Sequence, residues 1–128
     1  PHRDYYVDAK VHMLMPGQFP CVPNWHGDAI PRDAEGSLLY DECDTEQKMF
    51  VWVSGPPFTE FKDGRDFRAC EWMEFTQLDI HRGTCSTEFC WRLFIRLMPA
   101  ELVVRPRSGE NAIRQHSQVY LDSMNFIW

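Results

Sequence analysis

Two histidines and one aspartate have the residue types and spacing needed to bind a transition metal. His26 and Asp28 flank Gly27, and residues i and i+2 of a β-strand point to the same face, so both side chains can bind one ion. His81 is the candidate for the third ligand. Two imidazoles and one carboxylate would leave open positions on Fe(II) for a cosubstrate and for oxygen.

The sequence after His81 adds two cations that share one strand face. Ten residues separate His81 from Arg92, and Arg96 follows four residues after Arg92. On the expected strand 91–97, alternation places both arginines on one face with Phe94, and the large apolar side chains of the other face are expected to be buried. If the arginine face lines a barrel, Arg92 offers a planar fork for a dicarboxylate cosubstrate.

The order His26, Asp28, His81, Arg92 and Arg96 resembles that of the iron(II)/2-oxoglutarate-dependent dioxygenases, and most of all their taurine and phytanoyl-type branches. By this resemblance the first three residues would bind iron. Arg92 would bind the distal carboxylate of 2-oxoglutarate, and Arg96 would face the cosubstrate or the substrate.

This resemblance, which covers roughly residues 7–98, implies a function. The cofactors would be Fe(II) and 2-oxoglutarate. The reaction would hydroxylate an unidentified small-molecule or modified-residue substrate, with oxidative decarboxylation of 2-oxoglutarate to succinate. A hydroxyl that also binds 2-oxoglutarate would come from one of three candidates, Tyr40, Ser54 and Thr59.

Each of these signals also has an explanation that needs no ligand. A His-x-Asp pair arises often by chance, and a lone histidine such as His81 is more often packed than bound to a metal. The rival hypothesis is a non-catalytic jelly-roll module that retains the fold for binding or assembly. Cys85 and Cys90 are a weaker candidate for half of a zinc site, because structural zinc prefers closer pairs and a complete set of four ligands.

The elements that must position these residues are predicted to be short strands. Of the 128 residues, 44% are hydrophobic and 14% aromatic, a composition that suits β-sheets. The length predicts a single domain over residues 1–128, which is consistent with the core of a longer protein. Seven or more short strands with turn signals between them predict an all-β or mainly β fold, specifically a double-stranded β-helix (jelly-roll) with few short helices. The candidate strands are 5–15, 48–54, 58–62, 65–75, 76–82, 91–98, 103–104 and 118–121.

Two local signals make sharper predictions. Asp63-Gly64 between apolar runs predicts a two-residue hairpin that joins 58–62 to 65–75. Residues 109–115 are the one candidate for a short helix.

Charge and cysteine content narrow the function classes. The net charge of −6 argues against nucleic acid as a partner, because such a protein needs a basic face. No apolar stretch is long enough to cross a membrane, and five cysteines without framework spacing predict reduced thiols in a cytoplasmic protein. Residues 29–47 carry six acids and one arginine, and they predict a long loop at the mouth of the site that attracts a cationic or neutral substrate.

Overall fold

A computed structural model describes residues 4–102, 113–116 (backbone only) and 119–121. The fold is mainly β, as predicted, and the helices in these ranges are two three-residue 3₁₀ turns, Tyr40–Glu42 and Ala100–Leu102. The strands are β1 (Tyr5–Leu14), β2 (Met49–Val53), β3 (Thr59–Phe61), β4 (Met73–Phe75), β5 (His81–Gly83), β6 (Cys90–Pro99) and β7 (Ile113–His116).

The strands form two sheets. Five strands make the larger sheet in the order β4-β2-β6-β1-β7, in which only the β1–β7 pair is parallel. The smaller sheet pairs β3 with β5, antiparallel. An isolated bridge between His26 and His81 places the segment around residue 26 against β5. The smaller sheet therefore presents three neighbouring segments, and two of them carry candidate ligands.

The longest pairing, β1 with β6, determines which side chains face the interior. In its register, His12 lies opposite Arg92 and Asp8 lies opposite Arg96. Opposite residues of an antiparallel pair point to the same face. His12 and Arg92 are each only 3% exposed, so the arginine face is the interior one. The expectation that the other face is buried is wrong at Trp91, which is 65% exposed.

An apolar core holds the two sheets together next to the candidate ligands. It contains six buried side chains, which are Met49, Val51, Phe61, Phe75, Met98 and Leu102. The rings of Phe61 and Phe75 lie 6.0 Å apart, and both lie within 6 Å of the His81 ring. The packing of β3 and β4 therefore restrains His81.

The hairpin predicted at Asp63-Gly64 is wrong in its pairing. The turn forms, with Gly64 at φ +83° and its amide bonded to Phe61 at 3.0 Å. However, β3 pairs with β5, whereas β4 joins the larger sheet beside β2. The Asp63-Gly64 turn determines only that the chain reverses its direction there. Which strands β3 and β4 pair with depends on the burial of Phe61 and Phe75, which come from two different sheets.

The remaining element predictions have mixed outcomes. The strands expected at 5–15, 48–54 and 91–98 are confirmed, while the one at 76–82 begins only at His81. The helix predicted at 109–115 is wrong at residues 113–115, which belong to β7. The rest of that prediction, residues 109–112, lies outside the described ranges. So do the predicted strand 103–104 and residue 118 of the predicted strand 118–121. Tyr120 forms an antiparallel bridge with Phe19.

Candidate metal centre

His26 and His81 lie side by side, His81 on β5 and His26 on a segment that is bridged to β5. The backbone amide of each donates a hydrogen bond of 2.9 Å to the carbonyl of the other. Their ring centroids are 4.6 Å apart, and both residues are at most 9% exposed. An antiparallel bridge thus brings together two imidazoles that are distant in the sequence.

Asp28 completes a cluster of three ligand atoms. Its Oδ1 lies 3.8 Å from His26 Nε2 and 3.5 Å from His81 Nε2. All three atoms lie within 4.8 Å of one another. Two atoms that each bind one ion at about 2.1 Å are roughly 3.0–3.4 Å apart, so modest rotations of the side chains would close the set around a metal. The described residues contain no second group of three such ligands.

The backbone orients both imidazoles. His26 Nδ1 lies 2.7 Å from the Asn24 carbonyl, and His81 Nδ1 lies 2.9 Å from the Asp79 carbonyl. A carbonyl only accepts, so each Nδ1 carries a proton, and in the neutral ring each Nε2 holds a lone pair that faces Asp28. Histidines that bind metals have this arrangement, because the second hydrogen bond fixes the tautomer and the ring plane.

The charges around the cluster favour a cation. Burial opposes ionisation of Asp28, but Arg96 and His81 outweigh it and hold the pKa of this carboxyl well below its usual range. Burial lowers the pKa of His26 more than Asp28 raises it. For His81, burial lowers the pKa, but the attraction of Asp28 together with the hydrogen bonds to Asp28 and to the Asp79 carbonyl outweighs burial and raises it. A divalent metal binds ionised carboxylates and imidazoles that have released the proton from the ligand nitrogen. Asp28 is therefore already in the form that binds a metal, and the imidazoles can reach it by losing a proton.

Arg96 orients the carboxylate from behind. Its Nη1 donates to Asp28 Oδ2 at 2.7 Å, and its Nε and Nη2 donate to Asp8 Oδ2, with Nε at 3.1 Å. Asp28 therefore presents Oδ1 to the imidazoles and Oδ2 to Arg96. The contact of Arg96 with a cosubstrate stays a prediction, and in this structure its guanidinium is engaged by two carboxylates.

Arg92 is a buried cation without a carboxylate partner among the described residues. Its Nη1 donates to the Pro57 carbonyl at 2.9 Å, while its Nε has no hydrogen-bond partner in the described part of the chain. Burial lowers the pKa of this guanidinium. A buried charge that lacks a counter-ion is costly, so an anionic ligand at this point would stabilise the protein.

The three candidate hydroxyls lie in different environments. The Thr59 hydroxyl donates to the Pro57 carbonyl at 3.0 Å, which is the carbonyl that Arg92 also contacts. Ser54 Oγ accepts from the Leu93 amide at 2.8 Å, and Tyr40 is 48% exposed. Thr59 is therefore the hydroxyl that the fold places beside the Arg92 guanidinium.

The acidic loop 29–47 begins at the site. All six of its carboxylate residues are exposed. Its first part lines a cavity of about 220 Å³ beside the candidate ligands, and the residues around this cavity are Trp25, His26, Gly27, Ala29, Ile30, Arg32, Leu38 and Tyr40. The loop thus borders a cavity next to His26, while its position at the mouth of the metal site and its effect on substrate charge stay predictions.

The cysteines do not form a second site. All five lie in the described residues and are free thiols. Cys85 is exposed, and neither it nor Cys90 belongs to a group of three possible metal ligands there. Cys21 is half-buried, and its burial together with Asp28 raises the pKa of its thiol to about 11, which disfavours a thiolate nucleophile.

Sequence reasoning missed two residues of the site. Asp8 alternates with Lys10 and His12 in an otherwise apolar strand, and this polar alternation was a readable signal for an interior polar face. Gln77 bonds the segment after Asp28 from a distant turn, and no local pattern indicates it.

Gly27 permits the close approach of two segments at the site. A Cβ at this position would lie 2.5 Å from the Gln77 carbonyl oxygen and 2.6 Å from Ile30 Cδ1. We expect Gly27→Ala to lower the free energy of unfolding by about 1–3 kcal/mol, as overpacking does. Urea unfolding measures this change. Gly55→Ala is the matched control, because its new Cβ would make only ordinary contacts at 3.7 Å and 3.8 Å. Equal stability of the two variants would contradict the role of Gly27.

Comparisons with known proteins give no relative for this chain. No family model matches it, and neither the curated proteins nor the solved structures contain a significant match. Among the described residues, no helix is long and apolar enough to span a membrane.

Proposed function

We propose that the protein is an iron(II)/2-oxoglutarate-dependent dioxygenase that hydroxylates a small-molecule or modified-residue substrate. The observation that carries the proposal is the convergence of His26 Nε2, Asp28 Oδ1 and His81 Nε2 within 4.8 Å, with both Nδ1 atoms committed to carbonyls. Two imidazoles and one carboxylate are the donor set of non-haem Fe(II) oxygenases.

The pairing of the strands supports a double-stranded β-helix. The pairs are nested: β1 with β6, the residue-26 segment with β5, and β2 with β4. Strands nested in this way are those of one long antiparallel hairpin. The additional pairs β2–β6 and β3–β5 connect strands from different levels of that hairpin and roll it into two sheets. Rolling a hairpin in this way produces a jelly roll. It also brings the strands that carry His26, His81 and Arg92 around one interior.

The cosubstrate proposal is based on Arg92 and Thr59. A dicarboxylate that binds a metal through one end needs a cation and a hydroxyl at its other end. The buried Nε of Arg92 is unpartnered in the described residues, and Thr59 shares the Pro57 carbonyl with it. A carboxylate at this point would supply the acceptor that Arg92 lacks, in a bidentate pair that an arginine fork favours.

The chain's own residues would bind and orient the reactants. Bound Fe(II) and 2-oxoglutarate would supply, with oxygen, the oxidising power for hydroxylation, and 2-oxoglutarate would be converted to succinate and carbon dioxide. His26, Asp28 and His81 would hold the metal on one side and leave its other positions open. Arg96 keeps Asp28 ionised and oriented. The core rings of Phe61 and Phe75 exclude water from one side of His81.

Arg92→Lys tests the cosubstrate proposal. Lysine offers a point charge where arginine offers a fork. In calorimetric titrations of Fe(II)-loaded protein without oxygen, we expect 2-oxoglutarate binding to weaken by about 1.5–3 kcal/mol, the value of a hydrogen bond to a charged group. The matched control is Arg68→Lys, since Arg68 forms an exposed pair with Asp66. Unchanged affinity in Arg92→Lys would place this arginine outside the cosubstrate site.

One observation favours the second candidate function, a non-catalytic jelly-roll module for binding or assembly. Asp28 already has a counter-ion in Arg96, so the cluster can persist as a polar network without a metal. Binding of metal without 2-oxoglutarate-dependent release of succinate would support this module over the oxygenase.

A further inference from the structure

Gln77 is a buried polar side chain that connects the two ends of the acidic loop. It is only 2% exposed. Its Nε2 donates to the Ala29 carbonyl at 2.6 Å, and its Oε1 accepts from the Asp44 amide at 2.7 Å. One amide side chain thus closes the base of the loop, at a position directly after Asp28.

The backbone on both sides of Asp28 lies against Gln77, which contacts Ala29 through its side chain and Gly27 through its own backbone carbonyl. Ala29 has φ +60°, a left-handed conformation that costs a non-glycine residue about 1 kcal/mol or more. On the other side, the Gln77 carbonyl approaches Gly27 so closely that no Cβ fits between them. Gln77 therefore contacts the residues before and after Asp28, and its bond to Ala29 fixes the strained conformation.

The turn that carries Gln77 also holds the second imidazole. The Asp79 carboxylate accepts from the Thr76 amide at 2.7 Å and pairs with Arg65 at 2.7 Å. The Asp79 carbonyl accepts the Nδ1 proton of His81. One anchored turn, residues 76–79, thus positions the surroundings of Asp28 through Gln77 and those of His81 through Asp79.

We propose that Gln77 is a positioning residue that fixes Asp28 and the base of the acidic loop together, so that metal binding and the order of the loop are coupled. The inference rests on the proposed metal centre. Because Gln77 bonds both Ala29 and Asp44, a metal that fixes Asp28 also restrains the loop, and a loose loop lets Asp28 move away from the metal.

The test uses the full chain and Co(II) as the probe. Gln77→Met keeps the side-chain length but removes both hydrogen bonds. Asp44→Pro, at an exposed position, removes the amide that Gln77 Oε1 accepts from, and it also removes the Asp44 carboxylate that accepts from the Glu46 amide at 3.0 Å, but it leaves the bond from Gln77 to Ala29. Gln18→Met is the matched control, because it loses a side-chain bond to the Met15 amide away from the site. The measurements are the Co(II) dissociation constant, the visible spectrum of bound Co(II), and hydrogen exchange of the loop amides with and without Co(II).

We expect Co(II) to slow amide exchange across the loop in the natural sequence. Gln77→Met should weaken Co(II) binding about tenfold, the low end of the effect of losing a direct hydrogen bond to a metal ligand, because Gln77 acts on Asp28 through its neighbour Ala29. It should also alter the Co(II) spectrum and abolish the metal-dependent slowing. Asp44→Pro should abolish the slowing with a smaller loss of affinity, since the bond to Ala29 remains. Gln18→Met should change none of the three.

Several results would overturn the inference. One is natural affinity and spectrum in Gln77→Met. Another is an equal loss of affinity in Gln18→Met. If Gln77→Met does not fold, metal-dependent slowing that persists in Asp44→Pro overturns it. Absence of Co(II) binding by the natural sequence would remove the metal centre and this inference together, whereas tight binding that is insensitive to Gln77 removes this inference alone.

Discussion

We expect replacement of His26 or Asp28 to reduce the affinity for Fe(II), or for Co(II) in its place, by more than about a hundredfold. Loss of a residue that only hydrogen-bonds to a metal ligand already costs about tenfold to a hundredfold in affinity, and loss of a ligand itself should cost more. His26→Ala removes one of three converging donors, and Asp28→Asn removes the negative charge without changing the shape. Titration with Co(II) under anaerobic conditions measures the loss. The unsubstituted protein should bind about one ion at a site with open positions.

The matched control for Asp28→Asn is Asp66→Asn. Asp66 is an exposed acid paired with Arg68, so its replacement should leave metal binding unchanged. Full retention of one ion by the His26→Ala/Asp28→Asn double variant would refute the proposed centre. Binding that instead depends on Cys85 and Cys90 would transfer the metal site to the thiols.

Arg96→Met is expected to lower the free energy of unfolding by about 3–5 kcal/mol, the cost of removing one partner from a buried ion pair. Arg96 lies between Asp8 and Asp28, and the side chains of all three are at most 16% exposed. Without the guanidinium, two carboxylates would remain buried near each other. Urea unfolding of the metal-free protein measures the loss.

Added Co(II) should restore part of the stability of Arg96→Met, because an ion bound to Asp28 supplies the missing positive charge and binds only the folded state. The matched control is Arg68→Met, whose pair with Asp66 is 66–68% exposed and should contribute far less to stability. Equal losses in the two variants would show that the Asp8–Arg96–Asp28 network adds nothing beyond an ordinary surface pair.

The strands with clear alternation could be predicted, and those selected by tertiary pairing could not. The strands at β1, β2 and β6 are long or rich in β-branched residues, so their local pattern agrees with their final state. The Asp63-Gly64 signal was read correctly as a turn and wrongly as a hairpin. Its flanking segments join different sheets, because each buries a phenylalanine from a different side of the core.

The helix expected near the end of the chain failed for a related reason. Residues 113–116 pair in parallel with β1, and a parallel neighbour comes from a distant part of the chain. Weak local periodicity cannot compete with such a ladder of backbone hydrogen bonds, because helix propensity is worth only about 0.7 kcal/mol or less per ordinary residue.

By itself, the sequence determined the residue types of the candidate site and a mainly β fold. The strand period of two predicted that His26 and Asp28 share a face, although only His26 forms a bridge and Asp28 lies in a bend, and the same period places Arg92 and Arg96 together on β6. Only the tertiary structure decided that His81 bridges to His26 and that Arg96 pairs with Asp28, while Arg92 stays buried without a carboxylate among the described residues. Periodicity fixes the direction of a side chain within its own strand. The partner across the interior depends on which strands pair and in which register, and that is decided by burial of the whole core.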